Sequence, residues 1–189
     1  MLVIFASCQK EKKYLTEYVN PFIGTGGHGH TYPGASAPFG MVQLSPDSRL
    51  EGWDGCGGYH YSDSILYGFS HTHLSGTGVS DYGDVLLMPN TGKVLLSNGA
   101  NGDAGYSSKF SHKNETAKAG FYQVFLEDYD VNVELTTSQR VGFHKYTFTK
   151  DDIAQVILDL EHRDKLLDHK IEILDSNSLQ GIRYSDNWA

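Results

Sequence analysis

From residue 121 onward the chain alternates apolar and polar side chains, and this period-two pattern constrains its fold more than any other feature. Val131, Val133 and Leu135 alternate with Asn132 and Glu134. Successive side chains of an extended backbone point to opposite faces, so this spacing gives a segment one face to bury and one to leave in water. Besides the segment around Val133, candidate strands are 121–126, 141–148, 154–160, 170–174 and 178–184. Polar clusters separate them, among them Glu127-Asp128-Tyr129-Asp130, Lys150-Asp151-Asp152 and Asp175-Ser176-Asn177. Strands broken by brief polar turns predict an antiparallel sandwich or barrel rather than βαβ units. Helical periodicity is weak, and only 159–167 has room for a helical turn or two. The expected class is all-β, an antiparallel β-sandwich.

The first third is built differently. Between residues 20 and 92, Gly, Ser, Thr, His and Tyr dominate, with short apolar pieces at 41–44 and 85–88. A long irregular stretch inside a compact domain is functional or disordered. The chain is 12% aromatic and only 20% charged, which excludes a disordered polymer. Long ordered loops on a strand scaffold are therefore expected, with 97–118 as an exposed hairpin or insertion. The net charge of −8 comes without any basic run, which argues against a nucleic-acid backbone as partner. No stretch approaches the roughly 20 apolar residues of a membrane span. Twenty-one Gly and 12 Tyr suit a loop-rich aromatic surface of the kind that handles sugars.

Both ends carry expectations. Met1-Leu2-Val3-Ile4-Phe5-Ala6-Ser7-Cys8 precedes a charged stretch, the order of regions at the end of a bacterial lipoprotein signal, although the basic start is missing. That reading makes 1–17 a truncated signal and linker and makes Cys8 the lipidated residue. It places the protein in the periplasm or at the cell surface, touching the membrane only through lipid. With Cys8 so used, Cys56 has no disulfide partner. The chain stops at Asn187-Trp188-Ala189 inside an alternating stretch, which reads as an interrupted strand and hence a piece of a longer protein.

The candidate chemistry lies between residues 20 and 84. Gly24-Thr25-Gly26-Gly27-His28-Gly29 fits G-x-G-x-x-G. A dinucleotide site needs a helix opening on those glycines, and Pro33 and Pro38 deny it one. The glycines instead let backbone approach something closely. His28-x-His30 and His71-x-His73 each place two imidazoles on one face of an extended backbone. With Asp81 and Asp84 they have the donor types of a transition-metal site. The alternative is that they hydrogen-bond loop backbone or ligand hydroxyls. Trp53-Asp54 lies in the glycine-rich stretch 52–58. Aromatic rings pack on the C–H faces of pyranoses, and carboxylates and imidazoles bond their hydroxyls. A loop Trp plugging the end of the sandwich is the alternative. Cys56 has no adjacent base and reads as a small, partly buried structural thiol.

The blocks Tyr18-Val19-Asn20-Pro21-Phe22-Ile23-Gly24-Thr25-Gly26, Tyr32-Pro33-Gly34-Ala35, Pro38-Phe39-Gly40-Met41-Val42-Gln43-Leu44-Ser45-Pro46-Asp47 and Gly58-Tyr59-His60-Tyr61 resemble glycoside hydrolase family 92. The most specific block is Gly68-Phe69-Ser70-His71-Thr72-His73-Leu74-Ser75-Gly76-Thr77-Gly78, followed by Asp81, Gly83 and Asp84. The resemblance covers residues 18–189. It implies the N-terminal, supersandwich-like β module of a calcium-dependent, inverting exo-α-mannosidase acting on α-mannoside glycans. It implies that the catalytic acid and base, and most of the Ca2+ site, belong to a C-terminal (α/α)6 domain absent from this chain. By match, Trp53, Asp54, His71, His73 and Ser75 bind substrate, with Gly24 and Thr25 beside them; none is catalytic. Two other classes stay open: a stand-alone carbohydrate-binding module, and a structural domain supporting a neighbouring module.

Overall fold

The computed structural model describes residues 13–150 and 153–188. The Cys8 assignment lies outside the described residues. Among the described residues, thirteen strands run in chain order: β1 (Ala35–Ser36), β2 (Gln43–Asp47), β3 (Ile65–Leu66), β4 (Gly68–Ser70), β5 (Leu86–Thr91), β6 (Ser108–Lys109), β7 (Glu115–Lys118), β8 (Phe121–Leu126), β9 (Val131–Thr137), β10 (Gly142–Phe148), β11 (Ala154–Asp159), β12 (Lys165–Ile173) and β13 (Leu179–Asp186). The helical content among the described residues is three short 3-10 turns, at Leu15–Tyr18, Trp53–Gly55 and His112–Asn114. None is long and apolar enough to cross a membrane.

A five-stranded sheet in the order β1-β2-β4-β5-β11 packs on a four-stranded sheet in the order β10-β9-β8-β7. All pairings within them are antiparallel. The period-two reading decides what lies between them. In the β8–β9 hairpin Tyr122 pairs with Leu135, Val124 with Val133 and Leu126 with Val131, and all six side chains are buried. Leu44 of β2, Phe69 of β4, and Leu86 and Met88 of β5 meet them from the other sheet. Burying each such side chain stabilises by about 1.5–3 kcal/mol. The all-β sandwich expectation holds.

Two expectations need correction. Residues 97–118 are not an exposed insertion throughout, because Tyr106 and Phe110 are buried in the main core and Glu115–Lys118 forms β7 against β8. The polar Ser97–Asp103 run hid two aromatic anchors behind it. Residues 159–167 hold no helical turn: β11 runs to Asp159, a bend follows, and β12 begins at Lys165. The late segments 170–174 and 178–184 are the inner parts of the longer hairpin β12–β13. An apolar groove lined by Val85, Val156, Leu158, Ile171 and Ile182 separates that hairpin from the β5–β11 face.

Candidate functional site

Three loops meet at one end of the sandwich. The first is the glycine run. Gly24 turns with φ +84°, its carbonyl accepts from the Thr31 amide (3.3 Å), and a Cβ on Gly29 would sit 2.0 Å from that carbonyl. The backbone that these glycines let approach is their own: the first and last glycines of the motif touch. This crossing puts His28 and His30 at the tip. His30 takes φ +53°, a strained conformation for a residue with a Cβ.

The second loop carries the Trp53–Gly55 turn. His28 Nδ1 lies 2.6 Å from Asp54 Oδ1, and His30 Nε2 lies 3.5 Å from the same oxygen. The His28 hydrogen bond outweighs desolvation and holds the Asp54 carboxyl below its usual range, so it is an anion at neutral pH. Trp53 stands edge-on to the His30 ring at 4.8 Å and remains 62% exposed.

The third loop closes the rim. The His30 Nδ1–H donates to the Thr77 carbonyl (2.8 Å), and the Gly76 amide donates to the His30 carbonyl (2.8 Å). Gly78 lies under Trp53, where a Cβ would fall 2.2 Å from the indole. Ser75 is exposed beside Gly76. Trp53, Asp54, Ser75 and Gly24 therefore belong to one rim. Thr25 is buried at its base: its hydroxyl donates to the Phe22 carbonyl (2.9 Å), and its own carbonyl accepts from the Tyr61 amide (2.8 Å).

The other two site candidates are placed elsewhere. His73 is buried behind the rim. Its Nδ1–H donates to the Gln43 carbonyl (2.8 Å), and its Nε2 lies 3.2 Å from Asp47 Oδ1 and 3.1 Å from Ser70 Oγ. Asp47 is fully buried and also accepts from the Ser70 amide and hydroxyl, at 3.1 and 2.6 Å. His162 lies 3.4 Å from its Oδ1 and Arg163 3.7 Å. Burial pushes the Asp47 carboxyl up, but His73 and His162 together overcome that and hold it well below the usual carboxylate range.

His71 joins a chain of rings between the sheets. Its Nδ1 lies 2.7 Å from the Val85 carbonyl, its Nε2 lies 3.1 Å from His144 Nε2, and His144 Nδ1 lies 2.8 Å from the Tyr146 hydroxyl. A carbonyl only accepts, so the His71 proton sits on Nδ1. Its Nε2 then accepts from His144, and His144 Nδ1 accepts from Tyr146. This order requires both rings to be neutral. Burial lowers both, His144 to about 3.

The metal reading of the histidine pairs meets a different geometry. Among the described residues, no group of three His, Cys, Asp or Glu side chains is placed to hold a metal ion. His28 and His30 share a carboxylate, while His71 and His73 serve separate networks. Asp84 accepts from the Thr72 hydroxyl (2.8 Å) and pairs with Arg183. Calcium wants six to eight oxygens. Among the described carboxyls, Asp81 lies beside Asp164. Burial raises the Asp164 carboxyl against the pull of Asn187, and Asp81 raises it further, which favours a proton there. Cys56 is buried with a free thiol that burial pushes up, as suits a structural cysteine.

Sequence reasoning missed Asp47's central place, His144, His162 and Arg163. No local signal marks the last three. They reach the site region only through pairing of strands distant in sequence.

The fold and the rim together define a two-sheet β module with an exposed indole, a carboxylate and imidazoles on glycine-rich loops. The chain belongs to glycoside hydrolase family 92: residues 18–189 match the profile of the Glycosyl hydrolase family 92 N-terminal domain. The family GH92 α-mannosidase BT3965 from Bacteroides thetaiotaomicron has a similar structure, with TM-score 0.86 and 39% identity over 92% of this chain and 24% of that one. The same enzyme in complex with mannoimidazole matches with TM-score 0.85 and 40% identity, over 90% of this chain and 23% of that one. The GH92 inverting mannosidase BT2199 from Bacteroides thetaiotaomicron VPI-5482 matches with TM-score 0.73 and 26% identity, over 93% and 24%. An uncharacterized secreted glycosidase of Arthroderma benhamiae is 28% identical over 158 residues, 78% of this chain and 19% of that protein. The chain thus spans about a quarter of the solved relatives and about a fifth of the curated one.

Proposed function

We propose that this chain is the N-terminal module of an inverting, calcium-dependent α-mannosidase and forms one wall of its mannose cleft. The observation that carries the reading is the rim itself. Trp53 is 62% exposed, although burying an indole is favourable, and it is held beside an ionised Asp54 and two imidazoles. The ring offers an apolar face to a pyranose, while Asp54 and His28 bond its hydroxyls. Inverting hydrolysis needs two carboxyl groups roughly 6.5–9.5 Å apart with a water between them. The rim supplies one carboxylate, already paired to His28, and the family resemblance assigns the acid and base to a C-terminal (α/α)6 domain. Calcium would be held mainly by that domain, where it would supply an oxygen-coordinating centre for the sugar hydroxyls.

The test compares the whole mannosidase with its Trp53→Ala variant on α-mannosides, alongside this chain alone. The reading expects a raised KM in the variant and no turnover by the chain alone. Unchanged kinetics in the variant removes Trp53 from the cleft. Robust turnover by residues 1–189 contradicts the division of labour. Lipid attachment at Cys8, which would hold the protein on a bacterial membrane, is tested by mass spectrometry of the mature N-terminus; an intact Met1 without lipid ends that part.

A further inference from the structure

The Trp53–Gly55 turn carries the rim's ring and carboxylate, yet it belongs to no sheet. Its backbone bonds stay within the loop: Gly55 N to Gly52 O, Cys56 N to Trp53 O and Gly58 N to Gly55 O. The loop is closed at its root by the Gly58 carbonyl, which accepts from the Ser48 and Arg49 amides. What holds the turn from inside arrives from over a hundred residues away. Arg163 extends from the β11–β12 connection with its side chain only 3% exposed. Its Nη1 donates to the Gly55 carbonyl and the Ser80 hydroxyl, both at 2.9 Å, and its Nη2 donates to the Arg49 carbonyl at 2.8 Å. Its stem lies on Gly83, where a Cβ would come within 3.1–3.2 Å of it. Asp47 supplies the counter-charge at 3.7 Å.

We propose that Arg163 is a positioning residue of the sugar-facing rim, locking the Trp53–Asp54 turn to the 76–80 loop so that the indole stays over Gly78. The proposal rests on the reading of that rim as a mannose-contacting wall. A planar guanidinium donates in several fixed directions at once, so it sets the distance between the loops it bridges. A buried charge is costly unless paired, and an apolar side chain would fill the same space without needing Asp47. Fixed spacing is what the guanidinium adds. Three of its acceptors lie on the two loops that flank Trp53, and the contact between those loops is the Trp53–Gly78 packing.

The test uses Trp188→Phe as the parent, which leaves Trp53 as the sole tryptophan. Arg163→Lys and Arg163→Gln are compared with it by thermal unfolding, by acrylamide quenching of Trp53, and by titration with methyl α-mannoside. The expected result is cooperative unfolding with increased quenching. Mannoside affinity should fall by about tenfold, the equivalent of one charge-assisted hydrogen bond. Lysine should rescue only the charge and not the quenching. A folded Arg163→Gln with parental quenching and affinity overturns the proposal. If the Arg163 variants do not fold, Ser80→Ala cuts the tie to the second loop and leaves the buried charge in place. Increased Trp53 quenching then supports the proposal, and unchanged quenching overturns it. A parent that fails to bind mannoside contradicts a rim that holds sugar without the rest of the cleft, while the quenching comparison still judges Arg163.

Discussion

Acidification should loosen the joint between the two sheets, and His144 sets the scale. Burial first, and His71 second, push its imidazole from 6.5 down to about 3. The unfolded chain therefore binds the proton more readily than the folded one throughout that window. Stability is fully present above pH 6.5 and is lost as pH falls toward 3. Each unit of pH within the window removes about 1.4 kcal/mol, so about 2 kcal/mol is gone by pH 5 from this residue alone. His71 is lowered by the same cause and adds in the same direction. Asp164 is raised and titrates with the opposite sign, an effect common to parent and variant. Urea unfolding at pH 7 and pH 5 reads the difference. At a slope of about 2 kcal/mol per molar, the parent's midpoint should drop by about 1 M. His144→Gln keeps a polar group toward His71 but does not titrate, so its midpoint should fall less by about that amount. Equal drops in parent and variant would refute the neutral ring chain His71–His144–Tyr146.

Other perturbations separate the scaffold from the rim. Asp47→Asn removes the counter-charge of Arg163 and the carboxylate that His73 and His162 approach, and should cost about 3–5 kcal/mol in urea unfolding. Glu115 accepts from the Tyr59 and Tyr122 hydroxyls and contacts His112, so Glu115→Ala, which leaves two buried hydroxyls unpaired, should cost about 2–5 kcal/mol by the same measurement. Gly78→Ala places a methyl 2.2 Å from the indole and should displace Trp53, weakening methyl α-mannoside binding in fluorescence titration. Trp53→Ala should change unfolding free energy by no more than about 0.5 kcal/mol, because the ring is largely exposed, while abolishing the same binding signal.

The fold was legible where neighbours in sequence are neighbours in space. Val131, Val133 and Leu135 declare their face by alternation, and a short turn lays Tyr122, Val124 and Leu126 against them. Tyr106 and Phe110 were not legible, because a polar run precedes them and their burial comes from a distant sheet. The rim was half legible. Trp53 and Asp54 sit together at the rim, as their place in one loop suggested, and the glycines announce a close approach, although to their own carbonyl. His71 and His73 share a face only if the chain stays extended. Here it leaves β4 at Ser70, and the two rings serve different partners. Asp47 and Arg163 meet across 116 positions of chain. That pairing follows from sheet order, which no local spacing encodes.

Amide chemical-shift mapping of the isotope-labelled chain during titration with methyl α-mannoside tests the proposed sugar contact of the rim most directly. The account predicts saturable shifts clustered at residues 24–31, 52–58 and 75–80, diminished in Trp53→Ala. A spectrum unchanged at those positions, or shifts confined to the β12–β13 groove, would contradict it.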